Sequence, residues 1–153
     1  MKYGILAGAL VTTALVVSAS TARPAAAQEG GAFTKLGDIM AVIQLRHFKL
    51  WFAGDLENWP LAQYELEQIQ ESFTDAATRY RNIPVDTIAM IQTPLATLSE
   101  AIGVRNHARF GQAFKDLTTT CNNCHESAQV GFIVIGIPTA SPFSNQSFSP
   151  RLK

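Results

Sequence analysis

The sequence predicts an all-α protein: an antiparallel four-helix bundle with an extended C-terminal tail. In four segments, apolar residues recur at alternating spacings of four and three, the period of a helix with one buried face. Short stretches containing Gly, Pro or Asn separate these segments, and short connections make neighbouring helices antiparallel. No series of predicted strands competes with this pattern.

Residues 1–27 are predicted to be a signal peptide that lies outside the fold. Lys2 provides a short positive start, residues 5–19 form an apolar run, and residues 25–27 provide small side chains for signal peptidase. The apolar run is too short to favour a membrane-spanning helix, although an uncleaved anchor is the alternative. We therefore expect export to the periplasm, cleavage after about Ala27, and no stable membrane insertion afterwards.

The charge balance argues against a nucleic-acid partner. The sequence has 12 basic and 12 acidic residues, and removal of residues 1–27 takes away Lys2 and Arg23, which leaves a net charge near −2. A polycationic nucleic-acid binder is therefore excluded as the leading class. No phosphate-binding loop, dinucleotide-binding glycine motif or nucleophile elbow is present. We divide the chain into the signal peptide, a bundle over residues 28–130, and an irregular tail over residues 131–153.

The first helix is predicted to begin after Thr34, a suitable capping residue, and to run to about Ala53, with Gly54 ending it. A turn over residues 55–58 follows, and Asn58 is predicted to cap the second helix, which has Pro60 in its first turn. The inner positions of the first helix are Leu36, Met40, Ile43, His47 and Leu50, and those of the second are Ala62, Leu66, Ile69, Phe73, Ala76 and Tyr80.

The second helix also carries four acidic residues. We interpret them as a solvated face, with a docking surface for a basic redox partner as the alternative. They are Glu65, Glu67, Glu71 and Asp75.

After a break at residues 82–84, residues 86–91 are predicted to form one short helical turn. Thr93 is then predicted to cap a short third helix with Pro94 at its first position and Gly103 at its end. Leu95, Leu98 and Ile102 form the core side of this helix.

The fourth helix is predicted to begin at its cap, Asn106. Its inner positions are Phe110, Phe114, Leu117, Cys121, Cys124 and Ala128. After Gly131 the tail is first apolar and β-branched, then polar, and we expect it to lie across the bundle surface or the edge of a cofactor.

Residues 121–125 read Cys-x-x-Cys-His, the attachment signature of a c-type haem. Two thiols at this spacing can add to the two vinyl groups of one porphyrin, and the adjacent imidazole of His125 can bind the iron. Cys121 and Cys124 are the only cysteines in the chain, so no second pair completes a four-cysteine zinc site. A redox-active cysteine pair or a disulfide is the other alternative, but such pairs usually begin a helix. The sequence therefore predicts one covalent haem c.

A secreted four-helix pattern with this motif near the end of the last helix resembles the class II c-type cytochromes, the cytochrome c′ family. The resemblance covers residue 34 to about residue 128, and its one specific motif is residues 121–125. It implies a haem at one end of the bundle, with the first helix on the distal side. Two features depart from the family: Glu126-Ser127-Ala128-Gln129 follows the motif where a basic residue is common, and 28 residues follow His125.

The sixth iron ligand separates the functions that the resemblance implies. Met40 lies early in the first helix, at the bundle end that should hold the end of the fourth helix, and some family members carry a methionine ligand at such a position. His47 is the competing ligand, about 10 Å further along the same face. Met90 is a weaker candidate, and His107 is expected at the surface of the far end.

We expect an electron carrier with histidine and methionine as iron ligands, which is not an enzyme and which binds redox partner proteins. The alternatives are a five-coordinate protein that binds NO or CO, and an accessory haem subunit of an oxidoreductase. A homodimer is possible, as is common among members of the family.

Overall fold

The computed structural model describes residues 35–80, 83 and 85–151, and this part of the chain contains four α-helices and no β-strand. The four-helix prediction is confirmed. Thr34 and the predicted signal peptide lie outside the described residues. The helices are α1 (Leu36–Asp55), α2 (Trp59–Arg79), α3 (Val85–Gly103) and α4 (His107–Ser127).

Each helix packs against the next along the chain, and α4 closes the bundle against α1. The apolar faces predicted for α1 and α2 point inward, apart from the half-buried Leu36, Met40 and Tyr80. The largest fully buried apolar side chains form the centre of the core: Phe110, Phe114, Leu50, Leu66, Ile69, Leu95, Leu98 and Leu117. None of the helices in the described part of the chain is long and apolar enough to span a bilayer.

The first helix continues through Gly54 to Asp55, so the prediction that Gly54 ends it is wrong. Gly54 is buried, and the ring of Phe110 occupies the space that a side chain would fill. The glycine therefore serves close packing and not helix termination. The turn that follows ends at Asn58, whose Oδ1 accepts a hydrogen bond from the Leu61 N–H at 3.4 Å, which confirms the predicted cap of α2.

The third helix is longer than predicted. It runs without a break from Val85 to Gly103 and contains Pro94, whereas the sequence suggested a short turn and then a helix beginning at Thr93. A proline inside a helix removes one backbone hydrogen bond and costs about 3 kcal/mol. Burial of Ile91 and Leu95 on one face, on either side of Pro94, offsets this cost. The end at Gly103 agrees with the prediction.

The fourth helix begins as predicted, because Asn106 Oδ1 accepts a hydrogen bond from the Arg109 N–H at 2.9 Å. Its inner face is buried through Leu117 and becomes half-buried at the two cysteines. Ala128 is exposed and lies just beyond the helix, so the buried face ends before it.

The acidic face of α2 is solvated except at one residue. Glu67, Glu71 and Asp75 are exposed, but Glu65 is only 1% exposed, so its assignment to the solvated face is wrong. Its carboxylate accepts a hydrogen bond from Arg46 of α1 at 3.0 Å. A carboxylate can be buried in this way because a charged partner is within reach.

The described part of the tail, residues 131–151, contains no helix or strand and runs back along the bundle. Against α1 it leaves a cavity of about 310 Å³ that Gln44, His47, Phe48 and residues 135–140 line. Phe148 is buried against Phe52, with ring centroids 5.6 Å apart. Asn58 Nδ2 donates hydrogen bonds to the carbonyls of Phe148 and Ser149, at 3.1 and 3.3 Å. The tail therefore lies on the bundle surface and reaches the turn between α1 and α2, far from the end of α4.

Candidate cofactor-attachment site

The two cysteines lie in the last two turns of α4, three residues apart. Side chains at this spacing lie on the same face of a helix, so both thiols face one side of α4. Both are free and half-buried, and Cys121 also packs against the hydrophobic core. The site therefore presents two adjacent thiols, as attachment of one porphyrin requires.

The two thiols are protonated at neutral pH in the folded chain. Burial raises the pKa of Cys121 to about 11, and the neighbouring Cys124 contributes to this shift. Burial also raises the pKa of Cys124. Because the thiolate is the reactive form of cysteine, packing of this end of α4 makes both sulfur atoms poor nucleophiles.

The tail fixes the imidazole of His125. Its Nδ1 lies 2.7 Å from the backbone carbonyl oxygen of Ile133. A carbonyl oxygen can only accept a hydrogen bond, so Nδ1 carries the proton and donates it. With the ring proton on Nδ1, Nε2 is the ring nitrogen whose lone pair can bind a metal ion.

The predicted distal candidates occupy different positions. Met40 lies in the second turn of α1 and is half-buried against the core. Met90 belongs to α3, and its side chain is 43% exposed. His107 is exposed at the first residue of α4, and its Nε2 lies 3.5 Å from an Asp55 carboxylate oxygen, which agrees with its predicted place at the surface.

His47 is buried inside the core between α1 and α4. Its Nε2 lies 2.9 Å from Thr118 Oγ1, and the Thr118 hydroxyl donates its one proton to the Phe114 carbonyl at 2.9 Å. Nε2 of His47 is therefore the donor to Thr118. Burial lowers the pKa of His47 to about 4, so the imidazole is neutral at pH 7.

The neighbours of His47 on α1 do not share its hydrogen bond to Thr118. Arg46 instead pairs with Glu65, and the Lys49 ammonium lies 5.1 Å from the ring centroid of Phe143 in the tail. The two tryptophans belong to an aromatic cluster with Phe110 and Phe114.

Sequence reasoning missed two tail residues at the site, Ile133 and Ile135. Ile133 provides the carbonyl that binds His125, and both backbone polar groups of Ile135 bind the side chain of Asn122. These contacts join a helix to an irregular segment, so no periodicity could indicate them. Phe132 and Val134, beside these residues, are 83% and 75% exposed.

The residues present fit a covalently bound haem. Two thiols on one face of α4, an imidazole with a free Nε2, and exposed apolar side chains nearby match the needs of a large apolar ring with a central metal. Among the described residues, no three side chains of His, Cys, Asp or Glu converge as ligands of a metal ion. A search of family models, curated proteins and solved structures found no match to this chain.

Proposed function

We propose that this protein is a periplasmic mono-haem c-type cytochrome that transfers electrons. In this proposal, haem c is bound covalently through Cys121 and Cys124, His125 is the proximal iron ligand, and Met40 is the distal ligand. The main support is the hydrogen bond from His125 Nδ1 to the Ile133 carbonyl. It selects the tautomer in which Nε2 can bind iron.

This hydrogen bond is typical of metal-binding histidines. Such histidines usually donate their second ring N–H to a carbonyl or a carboxylate, which fixes the ring and increases the basicity of the ligating nitrogen. A surface histidine without a ligand role needs no such partner, because water can satisfy both nitrogen atoms.

The attachment chemistry needs only the two thiols. Cys121 and Cys124 would hold the haem through two thioether bonds: each S–H would add across one vinyl C=C bond, with the thiol hydrogen going to the adjacent carbon. No oxidant or reductant is consumed. Because packing of α4 raises both thiol pKa values, we expect attachment to occur before this end of the helix is fully packed.

The bound iron would supply reversible one-electron chemistry. The chain would hold the proximal imidazole in one orientation through Ile133 and would offer the thioether of Met40 from α1. A methionine ligand favours reduced iron and raises the reduction potential. Because no acid–base pair or nucleophile motif accompanies the haem motif, we propose a carrier and not an enzyme.

The first test is purification of the exported full-length chain, with its mass and its optical spectrum in both oxidation states. We expect a mass increase of one haem that denaturation does not remove, and its loss in a Cys121→Ser/Cys124→Ser variant. A weak band near 695 nm in the oxidised form and no response to carbon monoxide would support methionine ligation. High-spin bands with ready carbon monoxide binding would favour the gas-binding alternative. Absence of covalent haem from the unmodified chain would overturn the proposal.

A further inference from the structure

We propose that Asn122 is a positioning residue: it holds the tail so that the Ile133 carbonyl can fix the imidazole of His125. This inference rests on the proposed haem attachment. The Cys-x-x-Cys-His signature leaves position 122 free, so the proposed role comes from a contact of this chain and not from the motif.

The side-chain amide of Asn122 pairs with Ile135 as a second backbone strand would. Its Nδ2 donates to the Ile135 carbonyl at 2.9 Å, and its Oδ1 accepts from the Ile135 N–H at 2.8 Å. One hydrogen bond fixes a distance, but two from the same amide also fix the orientation of the segment. Asn122 is half-buried, so water competes only partly for these bonds.

The spacing on the helix matches the spacing on the tail. Asn122 and His125 are three residues apart on α4, which places their side chains about 5–6 Å from each other. Ile133 and Ile135 are two residues apart, which spans at most about 7 Å. Asn122 and His125 can therefore bind Ile135 and Ile133 at the same time.

A turn fixes the chain on the N-terminal side of the Ile133 carbonyl. In this turn the Ile133 N–H donates to the Val130 carbonyl at 2.8 Å. The short segment between Val130 and Ile135 is thus fixed at both ends, with Ile133 between them. Loss of the Asn122 amide would free one end and allow the carbonyl to move away from Nδ1.

The rest of the tail has separate anchors. Phe148 is buried, and Ile137 and Phe143 pack against the core. Loss of the Asn122 side chain should therefore loosen residues 133–135 without detaching the whole tail, so a variant at this position tests positioning and not folding.

The expected consequence at the iron follows from the imidazole. Donation from Nδ1 to a carbonyl makes Nε2 a stronger electron donor, which stabilises oxidised iron and lowers the reduction potential. Without a fixed acceptor the ring N–H exchanges with water, and the potential rises.

The experiment compares two full-length holo variants, Asn122→Ala and Asn123→Ala. Asn123 is the matched control, because it is also inside the motif but is exposed, and its side chain makes no hydrogen bond to the described residues. The readouts are solvent exchange of the His125 Nδ1–H by NMR and the reduction potential. For Asn122→Ala we expect exchange at least about tenfold faster and a higher potential, because two hydrogen bonds are lost. For Asn123→Ala we expect the exchange rate and potential of the unmodified protein.

Equal behaviour of the two haem-loaded variants would overturn the role of Asn122 and leave the proposed function intact. A lack of covalent haem in the unmodified chain would overturn both. If Asn122→Ala gives too little holo protein, Asn122→Asp is compared with Asn123→Asp. The first keeps an acceptor for the Ile135 N–H and loses only the donor, and the second controls for the added charge. Faster ring N–H exchange is then expected in Asn122→Asp alone, and equal rates would overturn the inference.

Discussion

His47 and Thr118 join α1 to α4 through a hydrogen bond of 2.9 Å inside the core. The Thr118 hydroxyl donates onward to the Phe114 carbonyl, and the His47 ring packs on Phe114 with centroids 4.3 Å apart. The imidazole is only 3% exposed, and this burial lowers its pKa to about 4. Protonation at Nδ1 would leave this hydrogen bond in place but would put a charge inside the core, so burial favours the neutral imidazole.

The first prediction is a loss of stability in acid. Because the pKa of His47 is lower in the folded state than the usual 6.5, the unfolded state takes up the proton first as the pH falls. The contribution of His47 is complete above pH 6.5 and is lost as the pH falls through 4, and at most it amounts to about 3 kcal/mol. Denaturant unfolding between pH 7 and pH 4 measures this slope. His47→Gln keeps a donor without the titration, and an unchanged slope in this variant would contradict the assignment.

The second prediction concerns the distal ligand. In the holo protein, Met40→Ala should convert the iron to high spin and allow carbon monoxide to bind, while the haem stays attached through Cys121 and Cys124. Met90→Ala is the control, because that side chain is largely exposed on α3, and its spectrum should not change. An unchanged spectrum in Met40→Ala would remove Met40 from the site.

The third prediction compares two glycines within helices. A side chain at Gly54 would overlap the ring of Phe110, whereas a side chain at Gly111 of α4 would meet no atom within 4 Å beyond its own helix. Gly54→Ala should therefore lower the free energy of unfolding by about 2 kcal/mol. Gly111→Ala should raise it by up to about 1 kcal/mol, because alanine favours a helix over glycine. Thermal unfolding of both variants is the measurement, and equal shifts would contradict the packing described for Gly54.

The fourth prediction concerns attachment of the tail. Burial of a phenylalanine side chain contributes about 1.5–3 kcal/mol, so Phe148→Ala should weaken docking of the tail at the turn between α1 and α2. We expect protease cleavage after residue 137 to become at least about tenfold faster, with the helical circular dichroism unchanged. The Phe132→Ala variant should be cleaved at the same rate as the unmodified protein, since Phe132 is 83% exposed. Equal cleavage of both variants would show that Phe148 does not hold the tail.

Local sequence signals predicted the number of helices and the caps of α2 and α4 correctly, but not the start of α3. Asn58 and Asn106 bind N–H groups only three residues away, so the sequence around each contains all the information needed. The continuation of α1 through Gly54 depends on Phe110, which is far away in sequence. Pro94 likewise follows the usual rule for a helix start, but burial of apolar residues on both sides of it decided the outcome.

The same contrast between local signals and long-range contacts applies to the candidate site. The motif is five consecutive residues, so Cys121, Cys124 and His125 can be proposed as site residues from the local sequence alone. The contacts of Asn122 and His125 lie in a tail without periodicity, and the pairing of Glu65 with Arg46 joins two helices. Such contacts depend on how the elements pack, which the local pattern does not encode.

The hydrogen bonds from Asn58 to Phe148 and Ser149 join residues 90 and 91 positions apart in the chain. Contacts at such separations form late, because the entropy of closing a long loop must be overcome first. Synthesis also proceeds from the N-terminus, so the tail emerges after the four helices. We therefore expect an order of assembly in which the helices form first and the tail docks at the turn between α1 and α2 afterwards. Under the proposed function, the two thiols would react with the haem early in this order, before packing of the end of α4 raises their pKa values.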